Sequence, residues 1–444
     1  MKLLAGLGWR GLIGALLVLG MGAGLLWVGL DPAPPVDAAS TTALTPEATF
    51  QPPPAELERG RVLALAGNCA HCHTARGGAA YAGGRRIVTP FGAVFSSNLT
   101  PDPDTGLGRW TAGDFWRALH HGRGADGRAL VPVFPYTETT RISRQDSDAL
   151  WAWLRTVPAV NQANQAHQLR WPFGTQAALA AWRTLYFRPG VWQEDSGQTA
   201  QWNRGAYLVN GAGHCAACHG GRNALGGVAS AGFGGGLVPS GLVYAPALNR
   251  ADQAGVAHWP LEHIVALLRD GTSPSGQATG PMADVVQHGT QHLPLGDLQA
   301  MAVYLKSLPV DTRPAAPAVL TDPANLKRAI DAGADLYREQ CADCHGAQGE
   351  GGRLADGRWV VPPLALNRTV TQQPPANLVR AIALGGFGVP TAGNPRPFSM
   401  PPFAQVLTES QIADLATFLR RTWGAQAGSV SASDVARWRG AGGD

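Results

Sequence analysis

The chain has 444 residues, a formal net charge of +4 and only 15% charged side chains, and its 57 glycines and 34 prolines imply abundant loops. The length allows about three domains. No Rossmann glycine pattern and no Walker loop is present, and Gly232-Phe-Gly-Gly-Gly236 follows no evident strand, so it reads as a loop rather than a nucleotide site.

Lys2 and Arg10 precede an uncharged run, Gly11 to Leu30, that Asp31 closes. Such a run can span a bilayer, and the upstream positive charges place its N-terminus in the cytoplasm. The competing reading is a cleaved signal peptide with Val36-Asp37-Ala38 as a poor cleavage site. Residues 1–30 are therefore expected to be a transmembrane anchor, with everything beyond it on the periplasmic side of a bacterial inner membrane. Residues 31–55, rich in Pro, Ala and Thr, read as a flexible stalk.

One five-residue pattern then recurs: Cys69-Ala-His-Cys72-His73, Cys215-Ala-Ala-Cys218-His219 and Cys341-Ala-Asp-Cys344-His345. These motifs use all 6 cysteines and leave none for a disulfide, a zinc site or a nucleophile. Cys-x-x-Cys-His is the attachment signature of c-type haem. Its thiols add across the porphyrin vinyl groups, and the histidine supplies an imidazole nitrogen to the iron. A lone Cys-x-x-Cys could equally serve zinc or a redox dithiol. Here a histidine follows every pair at once, so three covalently bound haem c are expected. The haem propionates would bring the holoprotein close to neutrality or slightly negative, so the formal positive charge is no argument for nucleic acid.

The motifs anchor a longer repeat. Each follows an amphipathic segment containing one glycine, Gly60, Gly205 or Gly333. Each repeat closes on an aromatic-Leu-basic triplet: Trp153-Leu154-Arg155, Tyr304-Leu305-Lys306 and Phe418-Leu419-Arg420. The pattern predicts first and last helices that cross at a glycine–aromatic contact, as in small c-type cytochromes. A middle helix is expected at Thr111–His121, Leu261–Asp270 and Ala376–Leu384. Trp110 and Trp259 precede two of these, either as indole donors to a propionate or as core. The expected fold is all-α, with three tandem cytochrome c domains at 56–160, 198–310 and 325–424 after the anchor. The connection 161–197 carries Trp171, Trp182, Tyr186 and Trp192. It is too apolar for a free linker and should strap domains together or meet a partner. Residues 425–444 read as a tail.

Of the 5 methionines, Met1 and Met21 lie in the anchor and Met301 falls on the core pattern of a helix. Met282 in Gly-Pro-Met-Ala and Met400 in Ser-Met-Pro-Pro sit in Pro-containing loops before the last helix, where a sixth iron ligand must come from. The first repeat has Phe134 in that slot, and phenylalanine cannot ligate. Its iron is expected either to take His120 or His121, at the end of the middle helix, or to be open. Bis-histidine ligation would set this haem lower in potential than the Met-ligated pair. His71, between two thiols, is badly placed, and His167 lies in the strap. His288 and His292 read chiefly as surface or loop residues.

The stretches Asn98-Leu-Thr-Pro-Asp-Pro-Asp-Thr-Gly-Leu-Gly-Arg109-Trp110, Pro132-Val-Phe134-Pro-Tyr136-Thr, Gly280-Pro-Met282-Ala, Gln291-His-Leu and Met400-Pro-Pro-Phe resemble the three-haem cytochrome subunits of membrane-bound bacterial dehydrogenases. That family includes partners of quinoprotein alcohol dehydrogenase, of flavin-dependent sugar and gluconate dehydrogenases, and of molybdenum-containing aldehyde or N-heterocycle hydroxylases. The resemblance implies a chain without substrate chemistry of its own, passing electrons from a catalytic subunit to ubiquinone or another membrane acceptor. The Pro-x-Phe-Pro-Tyr-Thr form looks more like the molybdenum branch, which implies a small iron–sulfur subunit as a further partner. That branch often has a histidine where this chain has Glu138. A haem peroxidase using the ligand-poor first iron, or a docking module of a terminal oxidase, are the competing readings.

Overall fold

Caps set the helix boundaries in the computed structural model, which describes residues 52–228, 232–238, 243–312, 322–355, 357, 359–365, 367–424 and 427–440. The first repeat comprises α1 (Pro54–Ala66), the motif turn α2 (Cys69–Cys72), α3 (Ala112–His121), α4 (Tyr136–Thr139) and α5 (Arg144–Leu154). Thr111 starts α3 with a capping box, its hydroxyl accepting from the Asp114 N–H and the Asp114 carboxylate accepting from the Thr111 N–H. Gly122 ends it at φ +58, against the ring of the fully buried Tyr136. The connection carries α6 (Gln176–Tyr186). The second repeat has α7 (Ala200–Asn210), α8 (Ala216–His219), α9 (Leu261–Asp270), α10 (Pro281–His288) and α11 (Leu295–Lys306). The third has α12 (Pro323–Gln340), α13 (Ala342–His345), α14 (Arg368–Thr371), α15 (Ala376–Leu384), α16 (Glu409–Thr422) and α17 (Ala432–Arg439).

The glycine crossing occurs in all three repeats. A methyl group on Gly60 of α1 would collide with the Ala149 carbonyl of α5 and lie 2.8 Å from Trp153 Cβ. Gly205 of α7 meets the Ala300 carbonyl of α11 in the same way, and Gly333 of α12 meets the Asp414 carbonyl of α16, with Phe418 Cβ alongside. Glycine in a helix interior costs about 1 kcal/mol relative to alanine. At these positions the backbones touch, and no side chain has room. The aromatic residues flank the crossings: Trp153 packs on Tyr81 at 5.4 Å, Tyr304 on Trp202 at 5.1 Å, and Phe418 on Tyr337 at 5.7 Å.

Helices dominate, but the expectation of an all-α fold needs correction. β1 (Arg86–Thr89) and β2 (Gly92–Phe95) form an antiparallel hairpin, to which β3 (Gln168–Leu169) of the connection adds a third strand. Further two-residue or three-residue ribbons close loops in the second and third repeats. Pairing gives the backbone of these long loops partners that helices would otherwise supply.

Residues of the connection 161–197 touch both of the first two repeats. Trp182 of α6 packs edge-on against Tyr136 at 6.2 Å and donates its indole N–H to the Leu225 carbonyl at 2.9 Å. Arg183 donates to the His121 carbonyl, and the Tyr186 hydroxyl accepts from Asn223. Beneath it the first two repeats form one continuous apolar core, with Leu63, Leu150, Leu208 and Leu298 at its centre. The third repeat has its own core around Tyr337, Ile382, Ile412 and Leu415. It docks on the second through Val389, which packs on Ala283 and Val286, and through Thr391, which donates to the Asp270 carbonyl at 3.0 Å.

The segment expected as a tail carries α17, started by a Ser431–Asp434 capping box, with Val430 and Val435 buried in the third core. Arg420, the basic member of its triplet, is fully buried and donates to the carbonyls of Gly428, Val370 and Gln372. Those three carbonyls carry a cation that burial would otherwise make costly. Among the described residues, no helix is long and apolar enough to cross a membrane. The expected anchor, residues 1–30, and stalk residues 31–51 lie outside the described residues.

Candidate haem sites

Each Cys-x-x-Cys-His motif is a single tight turn. Asn68, at φ 47, and His214, at φ 36, turn the chain into the first and second of these. The N–H of His73, His219 and His345 each donates to the carbonyl of the first cysteine, Cys69, Cys215 or Cys341, at 2.9 Å. Residues four apart in a helical turn share a face, so both thiols and the imidazole rise from one patch.

In every turn a histidine follows the second thiol at once, which is the donor set of covalent haem attachment. Burial pushes the first thiol of each pair up, Cys69 and Cys215 to about 12 and Cys341 to about 11. Burial also lowers all three histidines, keeping the imidazoles neutral. His73 points Nδ1 at the Ser97 carbonyl at 2.7 Å, and His219 points Nδ1 at the Pro246 carbonyl at 2.8 Å. An Nδ1–H donated in this way fixes the tautomer and leaves Nε2 for the iron. In the third repeat His345 Nδ1 is buried without a partner among the described residues, as is the indole N–H of Trp359. Leaving a buried donor unpaired costs about 1–3 kcal/mol, so Trp359 fits a haem propionate as acceptor. Spacing alone puts that indole just before the middle helix, at Trp110 and Trp259, and passes over Trp359, which lies well upstream of α15 on its own strand.

Met282 and Met400 both fall between the middle and last helices. They are not loop residues: Met282 opens α10, and Met400 pairs with Gly386 on a short ribbon beside the end of α15. Both are half-buried, Met282 against the shared core and Met400 against the third. Phe134 packs on the shared core. His120 is buried, stacked on Trp116 at 4.3 Å, with Nδ1 at 2.7 Å from the Thr140 carbonyl, leaving its Nε2 as the ring nitrogen able to face a metal. His121 meets it edge-on at 4.6 Å.

The motif turns of the first two repeats abut. His214 Nε2 lies 3.0 Å from the Gly67 carbonyl, and His71 of the first turn stacks on His288 of α10 at 5.4 Å. No periodic pattern in the sequence marks these contacts. Beside the second motif a cleft of about 240 Å³ is lined by Glu138, Arg141, Trp182, Tyr186, Ala216 and Arg222. Burial raises the Glu138 carboxyl above its ordinary value of 4.5. Its folded pKa thus exceeds the unfolded one, so the contribution of this carboxyl to stability is full below about pH 4.5 and is lost as pH rises through the folded pKa. Glu138→Gln is expected to raise the thermal midpoint at pH 7 and to leave it unchanged at pH 4, measured by circular dichroism at both.

Repeated glycine-crossed helix pairs, each holding a Cys-x-x-Cys-His turn with a neutral histidine, define a c-type cytochrome. The cytochrome c family model matches residues 57–158 and 330–423. The chain is 38% identical over 406 residues to a nicotinate dehydrogenase subunit of Pseudomonas putida, covering 90% of this chain and 32% of that protein, so it spans about a third of that relative's length. It is 36% identical over 420 residues to the cytochrome c subunit of a quinone alcohol dehydrogenase of Gluconacetobacter polyoxogenes, covering 90% of this chain and 88% of that one. It is 34% identical over 401 residues to the gluconate 2-dehydrogenase cytochrome c subunit of Pantoea cypripedii, covering 86% and 89%. The chain belongs to the family of cytochrome c subunits of dehydrogenases.

Proposed function

We propose that this chain is a tri-haem electron-transfer subunit, taking electrons from a periplasmic dehydrogenase catalytic subunit and delivering them to ubiquinone or the respiratory chain. The observation that carries this reading is the threefold repeat of one attachment turn, with the first two turns in contact. Covalent haem supplies one-electron chemistry, and the protein's part is to hold each iron and tune its potential. Cys69, Cys72 and His73, Cys215, Cys218 and His219, and Cys341, Cys344 and His345 are the attachment groups. Met282 and Met400 are the proposed sixth ligands of the second and third irons, and His120 that of the first. Anchoring by residues 1–30 on the periplasmic side belongs to the same proposal.

For the catalytic partner we favour a molybdenum-containing aldehyde dehydrogenase or hydroxylase with a small iron–sulfur subunit, on the Pro132-Val-Phe134-Pro-Tyr136-Thr stretch. A second reading, a quinoprotein alcohol or flavin sugar dehydrogenase, is favoured by near full-length relatives that are alcohol and gluconate dehydrogenase subunits. Isolation of the native complex from detergent-solubilised membranes through this chain separates them. Molybdenum with an iron–sulfur subunit supports the first, and pyrroloquinoline quinone or flavin the second. The chain arriving alone, with peroxidase activity, would overturn both.

A further inference from the structure

His71, Asp284 and His288 meet where the first motif turn lies against α10. Their ligand atoms, one from each side chain, all lie within 4.8 Å of one another. His71 Nε2 is 3.7 Å from Asp284 Oδ2, and the two imidazoles stack at 5.4 Å with planes 27° apart. Asp284 and His288 are one helical turn apart on α10 and so share a face. His71 comes from the other repeat, held between Cys69 and Cys72 by the turn itself. None of the three is an attachment group or a proposed axial ligand: the His71 ring meets Asp284 and His288 of the other repeat.

We propose that His71, Asp284 and His288 form a binding site for a divalent cation of the zinc class, bridging the first and second repeats. Two imidazoles and a carboxylate are the donor set that borderline divalent ions take, with water completing a tetrahedral shell. Zinc bonds of about 2.0–2.2 Å require ligand atoms to close to roughly 3.3 Å of one another. The closure asks for a rotamer change of His288, which is exposed, and a small shift of Asp284, which is half-buried. The Arg85 guanidinium, donating to the His71 carbonyl at 3.0 Å, opposes the added charge, and Asp284 offsets it. The bound ion pins the turn that holds the first haem to the helix that carries Met282, two residues from Asp284. It thereby fixes the spacing of the two haem units.

Chelator-washed holoprotein dialysed against micromolar zinc, with zinc counted per chain by elemental analysis, tests this. Wild type is expected to retain one zinc per chain and to gain thermal stability with it, since a ligand that binds only the folded state stabilises it. His288→Ala and Asp284→Asn are expected to bind zinc at least about tenfold more weakly. Both should keep their haem spectra, because His288 is exposed and neither residue is an iron ligand. No uptake by wild type, or uptake equal in wild type and His288→Ala, would overturn the site. Uptake that appears only with dimer formation on gel filtration would also overturn it, as a contact between molecules.

Discussion

Replacing Gly205 by valine is expected to collapse the second repeat, lowering stability by about 3 kcal/mol or more. The position faces the Ala300 backbone, with the Ala300 carbonyl inside any methyl's radius and the Met301 nitrogen 3.0 Å away. Neither helix can yield locally, because Leu208, Leu298 and Ala302 beside the crossing are fully buried in the core shared with the first repeat. The strain should therefore spread to both units. Gly296→Ala on the same α11 is the control: nothing lies within 4 Å of its added methyl, so no loss is expected there. Thermal unfolding followed in the far ultraviolet and at the haem absorption of the second unit checks both. A Gly205→Val protein with an unchanged midpoint would mean that the helices do not cross at this glycine.

Met282→Ala and Met400→Ala are each expected to strip one haem of its thioether ligand. The corresponding iron should turn high-spin or take up a weaker ligand, lose the charge-transfer band of methionine-ligated ferric haem, and fall in potential on the order of 0.1 V. Each substitution should alter one haem and spare the others. Their surroundings also differ. Met282 packs on two apolar clusters at once, including the patch where Val389 of the third repeat docks, so its loss should loosen that docking as well. Met400 touches the third core alone. Redox titration with low-temperature spectra distinguishes the two. An unchanged spectrum in Met282→Ala would remove this residue from the iron.

What the sequence reveals here follows from how local each signal is. The attachment turns are short-range patterns, set by backbone geometry within five residues, and Gly60, Gly205 and Gly333 are marked by standing at a near-constant distance before each of them. The apolar character of residues 161–197 announced a strap, although not that Gln168 and Leu169 would add a strand to the first-repeat hairpin. Contacts between repeats were hidden. The fusion of two cores into one around Leu63 and Leu208, the stacking of His71 on His288, and the burial of Arg420 each join residues far apart in the chain with no shared period. Trp359 escapes the spacing argument because the burial of its indole N–H depends on where the long loop places the ring, not on its spacing from a helix. The C-terminal α17 was legible in principle: Ser431 with Asp434 three residues on is a capping signature, and Val430, Val435 and Trp438 supply an apolar face.

The number of haems covalently attached to the purified chain, read from its intact mass and from the haem absorbance per polypeptide, decides whether it is a tri-haem carrier. The middle repeat is decisive, since the cytochrome c family model matches only residues 57–158 and 330–423. The geometry of the Cys215–His219 turn, with His219 anchored on Pro246 as His73 is on Ser97, predicts three haems, falling to two when Cys215 and Cys218 are both replaced by alanine. Two haems in the wild-type chain, with no further loss in that variant, would contradict it.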